Sequence, residues 1–251
     1  MAGRIGSISD IRSSYEANGF VVLRSFFDAD EASEIRAAIR RYIDEVVPTL
    51  SDSDVVREKN GTAVRNLFRM EAHDEYFNRL GRDRRLTDLV AAVLDDEPVL
   101  RAVQTFNKPA RVGSAVPQHQ DNAYFCYDPP RALTVWIALD PATAENGPVH
   151  YIRGTHTLGS LPHKFSGQTG NSLMMAEPYQ AGPDQVHRAT MDPGDIILHH
   201  CRTVHFSARN TSDRPRLGMA VPYSAPNLGE DPALKAFYKE VSATVGSALR
   251  H

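Results

Sequence analysis

The chain has 251 residues, 41% of them hydrophobic and 24% charged, with a formal net charge of −3. This is an ordinary globular composition, and it argues against a basic nucleic-acid surface, a secretory leader or a membrane span. Its two cysteines, Cys126 and Cys201, lack metal-type spacing and fit a reducing cytoplasm, and the length suits a single domain.

Ser7-Ile8-Ser9-Asp10 reads as a helix start with Gly19 as its stop, and Phe20-Val21-Val22-Leu23 as a short buried strand. Asp28 or Asp30 then caps a long amphipathic helix. Its apolar positions Ile35, Ala38, Ile39, Tyr42, Ile43 and Val46 follow the helical period until Pro48. Ser51 to Met70 is polar, with an Asn60-Gly61 turn signal, and reads as a long connection, functional or merely solvated. Another helix is expected from about Asp83 to Leu94, with Leu86, Leu89, Val90 and Val93 on one face. These helices are expected to brace a sheet from outside.

From Val99 the texture changes to short strands separated by turns, which suggests a sandwich or barrel. In Ala132 to Asp140, Leu133, Val135, Ile137 and Leu139 share one face while Thr134, Trp136 and Ala138 share the other. Turns at Glu145-Asn146-Gly147-Pro148 and Asp192-Pro193-Gly194-Asp195 precede further strands. The segment His163 to Ala189, rich in glycine and proline, reads as a lid or binding loop. From Asp231 the chain turns helical, with Leu234, Phe237, Tyr238 and Val241 on one face.

His119 and Asp121 stand two positions apart, so on an extended strand they point to the same side. A third ligand has to come from the cluster His199, His200 and His205. Two imidazoles and one carboxylate on one face of an octahedral ion form the facial triad of non-haem Fe(II) oxygenases, which leaves open positions. If Thr203 to Asn210 and Arg214 to Tyr223 pair as a hairpin about Thr211-Ser212, Ser207 faces Arg216 and His205 faces Gly218, which would leave room for a ligand. A guanidinium fork suits a carboxylate, so a metal beside Arg216 and Ser207 points to a dicarboxylate cosubstrate. His199 and His200 face opposite ways, so at most one of them looks at the site; His156 reads as structural, and His150, His163 and His187 as surface residues.

At these residues the chain resembles the phytanoyl-CoA dioxygenase family of Fe(II)/2-oxoglutarate oxygenases, which includes ectoine hydroxylase. The likeness runs from about Gly19 to Tyr223. It rests on Asn107-Lys108-Pro109, His119-Gln120-Asp121, Glu145-Asn146-Gly147-Pro148 with Ile152-Arg153-Gly154-Thr155-His156, and the block Gly194-Asp195, His200, His205, Ser207 and Arg216. Arg153 and Thr155 depart from the family's usual proline and serine. The resemblance implies a mainly β fold with flanking helices and a double-stranded β-helix (jelly-roll, cupin-like) core. One domain over 1–251 would have helical support at 7–95, the core at about 99–224 and a C-terminal helix at about 231–249.

The resemblance makes His119, Asp121 and His205 the iron ligands, with Arg216, Ser207, Thr134 and, more loosely, Gln104 holding 2-oxoglutarate. Arg65, Asn66, Lys108, Tyr124 and Trp136 are candidates for the substrate. The implied cofactors are Fe(II), 2-oxoglutarate and O₂, with ascorbate as a stimulant. The implied reaction is hydroxylation of an unactivated C–H bond of a small metabolite or natural-product intermediate with decarboxylation of 2-oxoglutarate to succinate. Asp121 disfavours halogenation, while desaturation, epimerisation or ring formation stays open. So do a cupin-like metal hydrolase or lyase and a non-catalytic barrel. The expected form is a cytoplasmic monomer or homodimer with no nucleic-acid or membrane partner.

Overall fold

The computed structural model describes residues 6–248 apart from 52, 59, 60, 62 and 169. Ser7 caps the helix Ile8–Asn18, and Gly19, at a left-handed φ of 81°, ends it. Asp28 caps Ala29–Glu45 through a reciprocal box with Glu31. Pro48 lies in the short 3₁₀ turn Val47–Thr49 that follows. Asp83 caps Arg84–Leu94. All three helices begin and end within a few residues of the expected signals.

Among the described residues a large antiparallel sheet has eight strands. Across it run Phe20–Leu23, Ile196–His200, Ala132–Ala138, Arg216–Ser224, Gln104–Lys108, Val64–Leu67 and Val55–Arg57, with Val99–Leu100 paired to the far end of Arg216–Ser224. A smaller sheet orders Val186–Arg188, Val149–Ile152, His205–Ser207 and Val116–His119. Helices cover the outer face of the large sheet. Ile35, Ile39, Tyr42, Leu86 and Val90 join Leu133, Val135, Ile137 and Leu139 in one apolar cluster. Each such buried aliphatic side chain contributes about 1.5–3 kcal/mol. Between the sheets lies a second cluster that includes Phe20, Trp136, Ala138, Tyr151, Ile197 and Ala220. The alternation read in Ala132–Ala138 therefore sorts helix-facing from interior side chains, and the strand is buried on both faces.

Three expectations change. Ser51 to Met70 is not a free connection: it supplies two strands, Val55–Arg57 and Val64–Leu67, that widen the large sheet. Asn60 of the expected turn lies outside the described residues. His205–Ser207 and Arg216–Ser224 do not form a hairpin. The first pairs with Val116–His119 and Val149–Ile152, the second with Gln104–Lys108 and Ala132–Ala138, so they belong to opposite sheets. Between them the chain passes from one sheet to the other, and Asn210 pins it by donating to Lys108 O (2.9 Å) and Arg214 O (2.7 Å). Finally, the 163–189 segment contains the hairpin His163–Phe165/Leu173–Met175 and the strand Val186–Arg188 at the edge of the small sheet.

The C-terminal helix Pro232–Ala248 packs Phe237, Tyr238 and Val241 against Ala123, Tyr124 and Leu173. No helix among the described residues is long and apolar enough to cross a membrane. Cys126 and Cys201 are both free and buried.

Candidate active site

His119 and His205 are directly opposed across neighbouring strands of the small sheet, with ring centroids 4.2 Å apart. The strand carrying His119 ends there. Asp121 sits at the start of the helical turn Asn122–Phe125, with φ −59° and ψ −31°. The expected convergence is real but has a different cause: the chain curls into a helix after His119 rather than running on as a strand. Asp121 Oδ1 lies 3.6 Å from His119 Nε2 and 3.5 Å from His205 Nε2. These three are the residues whose donor atoms gather closely enough to hold one ion among the described residues.

The donor set fits a metal for a specific reason. His119 Nδ1 meets Pro117 O at 2.9 Å and His205 Nδ1 meets Thr203 O at 3.0 Å. A carbonyl only accepts, so each Nδ1 carries the proton and each Nε2 keeps a lone pair aimed at Asp121. Burial lowers the pKa of both rings, for His205 to about 3 with help from His119 and against the pull of Asp121. The imidazoles are therefore neutral, the form that ligates. Burial alone would raise the Asp121 carboxyl, but His205, His199 and His119 outweigh it and hold it below the usual carboxylate range.

The other carboxylate oxygen has its own partners. Asp121 Oδ2 accepts from Thr134 Oγ1 at 2.8 Å and lies 3.0 Å from His199 Nε2. Thr134, expected beside the cosubstrate, donates its hydroxyl to Asp121. His199 was missed as a site residue. Alternation had shown that only one of His199 and His200 could face inward, and pairing of His199 with Thr134 settles which. His200 turns outward to His156 and Tyr15. His156 is structural as expected, bonded to Glu16 O at 3.1 Å. His163 is no surface residue: its Nε2 accepts from Gln120 N at 3.0 Å, one position from the candidate metal ligands.

The inner face of the large sheet carries a second, cationic group. Arg216 is 2% exposed, donates to Gly147 O at 3.1 Å, and leaves Nε buried without a partner. Its guanidinium lies over the Trp136 ring, 5.3 Å from the centroid. Burial lowers its pKa to about 10. Lys108 is paired directly across from it and donates to Ser114 O. Burial, then Arg216 and Arg65, push Lys108 down to about 6. Arg65, Asn66, Phe106 and Asn171 line the same small cavity as Lys108 and Arg216. Arg65 donates to Asn171 Oδ1 (3.0 Å) and Gln168 Oε1 (3.1 Å), tying this wall to the 163–189 segment.

Two further expectations are revised here. The space over Gly218 is not open to a ligand, because a Cβ there would stand 2.2 Å from Trp136 Cζ2; the glycine makes room for the indole under Arg216. Ser207, buried one strand pleat from His205, is on the opposite sheet from Arg216 rather than across a hairpin. Gln104 pairs with Ala220, itself paired with Trp136, which puts it on the inner face as expected. Tyr124 sits edge-on to His119 at 6.0 Å, and its hydroxyl bridges Leu173 N (2.9 Å) and Leu173 O (3.3 Å).

The chain resembles known proteins over most of its length. Ectoine dioxygenase from Sphingopyxis alaskensis is 26% identical over 230 residues, covering 85% of this chain and 74% of the relative. L-proline trans-4-hydroxylase from Streptomyces griseoviridis is 26% identical over 234 residues, covering 86% and 85%. The solved structure of EctD from S. alaskensis with 2-oxoglutarate and 5-hydroxyectoine shares the fold, with a TM-score of 0.71 at 24% identity over 88% of this chain and 76% of that one. The family model for phytanoyl-CoA dioxygenase matches residues 15–218, a span that includes His119, Asp121, His205 and Arg216. The chain belongs to the phytanoyl-CoA dioxygenase family and is an oxidoreductase.

Proposed function

We propose that the protein is an Fe(II)/2-oxoglutarate-dependent dioxygenase that hydroxylates an unactivated C–H bond of a small metabolite while 2-oxoglutarate is decarboxylated to succinate. One observation carries the reading: a cation-seeking donor set and a buried guanidinium with an unpartnered Nε lie on the facing sides of the two sheets. Tyr151 spans the two, since it stacks on His205 at 5.7 Å and feels the charges of both Asp121 and Arg216. A keto-diacid has the matching polarity. Relatives named for dioxygenation of ectoine and trans-4-hydroxylation of L-proline support a small polar substrate.

In this reading His119 Nε2, His205 Nε2 and Asp121 Oδ1 hold the iron. Bound iron and 2-oxoglutarate activate O₂ and supply the oxidising chemistry. Arg216 binds the distal carboxylate through its fork, with Lys108 as a second donor and the Trp136 face fixing the guanidinium plane. That moves Lys108 and Trp136 from the substrate to the cosubstrate, because both adjoin Arg216. Ser207 and Gln104 line the inner face. Arg65, Asn66 and Tyr124 remain as the substrate wall, with Leu173 and Asn171 of the 163–189 segment acting as a cover that excludes water.

The test is anaerobic mixing of the protein with Fe(II) and 2-oxoglutarate. Wild type should develop a weak visible charge-transfer band and Asp121→Ala should not. A screen of small amino-acid-like compounds for succinate release then identifies the substrate. Failure of wild type to retain Fe(II) or to show the band would refute the reading.

A further inference from the structure

We propose that His199 is a positioning residue that restricts Asp121 to one-oxygen coordination, which keeps a metal position free for O₂. The inference rests on the metal centre proposed above and goes beyond it, since His199 is not one of the three residues gathered to hold the ion.

The two oxygens of Asp121 face different partners. Oδ1 looks at the free lone pairs of His119 and His205, at 3.6 and 3.5 Å. Oδ2 is held by Thr134 Oγ1 at 2.8 Å and His199 Nε2 at 3.0 Å. To bond a carboxylate, His199 has to carry its proton on Nε2. It is thus the opposite tautomer to its two neighbours: they present lone pairs where it presents a hydrogen. A ring in that state orients a carboxylate and does not ligate.

The placement of the ring has no other polar reason. His199 is 2% exposed, packed against Tyr151 and His205 with centroids 5.1 and 4.7 Å away. Its Nδ1 is buried without a partner. A phenyl ring would fill the space without that cost, so the Nε2–H bond to Asp121 is what the imidazole adds. The register explains how it reaches: His199 is paired directly with Thr134, so both side chains leave one point on the inner face and converge on one oxygen.

The consequence follows from coordination number. An octahedral ion held by three protein donors and a chelating keto acid has one position left. Carboxylates readily bind through both oxygens, and a second bond from Asp121 would fill that position. Two donors fastened to Oδ2 prevent it.

The experiment compares His199→Phe, which keeps ring shape and removes the donor, with His199→Gln, whose amide nitrogen reaches the place of Nε2. Apo proteins are titrated with Fe(II) against a chelating dye, and the visible band of the anaerobic Fe(II)–2-oxoglutarate complex is recorded, with thermal melting as the folding control. Freed of one donor, Asp121 can close a second bond, so His199→Phe should tighten Fe(II) binding several-fold and shift the band, and His199→Gln should restore both. An unmoved band or Fe(II) binding no tighter than wild type in His199→Phe, or a Gln variant that behaves like Phe, overturns the proposal. If the Phe variant does not fold, His199→Asn replaces it. Its amide is too short to reach Oδ2, so equal behaviour of the Asn and Gln variants overturns the proposal equally. A wild-type protein that neither binds Fe(II) nor shows the band refutes the functional reading as well, whereas an intact wild-type band with an indifferent His199→Phe refutes only this role.

Discussion

The two ends of the interior are built by opposite rules. At the His119–Asp121–His205 end every proton is accounted for: both Nδ1 atoms are bonded to carbonyls, and Asp121 Oδ2 has two partners. At the Arg216–Lys108 end the ledger is incomplete, with Arg216 Nε unpartnered and Lys108 far below its ordinary pKa. On the proposed reading the first group is arranged to take an ion and the second to take an anion. The contrast then predicts that metal affinity and cosubstrate affinity rest on separate residues and can be broken one at a time.

Arg216→Met attacks the anionic partner's end alone. It should lower kcat/KM for 2-oxoglutarate by about 10²–10³-fold, the usual effect of truncating a buried charge partner. Fe(II) affinity should stay within twofold or so of wild type; a matching loss of iron would show the two ends to be coupled. The second readouts are succinate release and dye-competition titration on the same preparation.

A smaller, more diagnostic effect belongs to Lys108. In the unfolded chain a lysine keeps its proton to about pH 10, and in the folded protein Lys108 gives it up near 6. The unfolded state thus binds the extra proton between these values, so free protein loses stability as pH falls through that window and levels off below about 6. A bound carboxylate favours the charged amine. Binding of 2-oxoglutarate above that pH should therefore take up a proton, seen by calorimetry in buffers of different ionisation heat. Lys108→Met should abolish the uptake, raise the KM for 2-oxoglutarate roughly tenfold, and remove the share of the pH dependence of apo stability that Lys108 contributes. Proton uptake surviving in the variant would assign it elsewhere.

The mildest perturbation is Gly218→Ala. Its Cβ has no room beside Trp136 Cζ2, so the indole has to move from under Arg216. Overpacking of this kind costs about 1–3 kcal/mol, and each kcal/mol lowers the melting temperature by about 2–4 °C in a chain of this size. A variant that melts like wild type would mean that the indole has slack.

Much of this was readable in the chain because local signals and tertiary structure agree. Ser7, Asp28 and Asp83 cap their helices through their own side chains, which no distant contact overrides. The alternation in Ala132–Ala138 survives because helices cover one face and the cluster between the sheets the other. What failed was register between remote strands. Nothing near Thr211-Ser212 says that the chain changes sheets; Asn210 enforces it by reaching Lys108 O, over a hundred residues away in sequence. His199 escaped for the same reason, since its face is defined by pairing with Thr134. The two strands of Ser51 to Met70 were hidden because they are only three and four residues long and lie at one end of the sheet.

The histidine rings owe their orientation to carbonyls two residues upstream, Pro117 O for His119 and Thr203 O for His205. His163 repeats the arrangement with Leu161 O, which leaves its other nitrogen for Gln120 N. Because main chain rather than neighbouring side chains aims these imidazoles, the lining contributed by Tyr124, Leu173 and the C-terminal helix can diverge in shape and polarity without retuning the ion's cradle. On the proposed reading, such a division of labour would let one metal centre serve different compounds through changes confined to that wall.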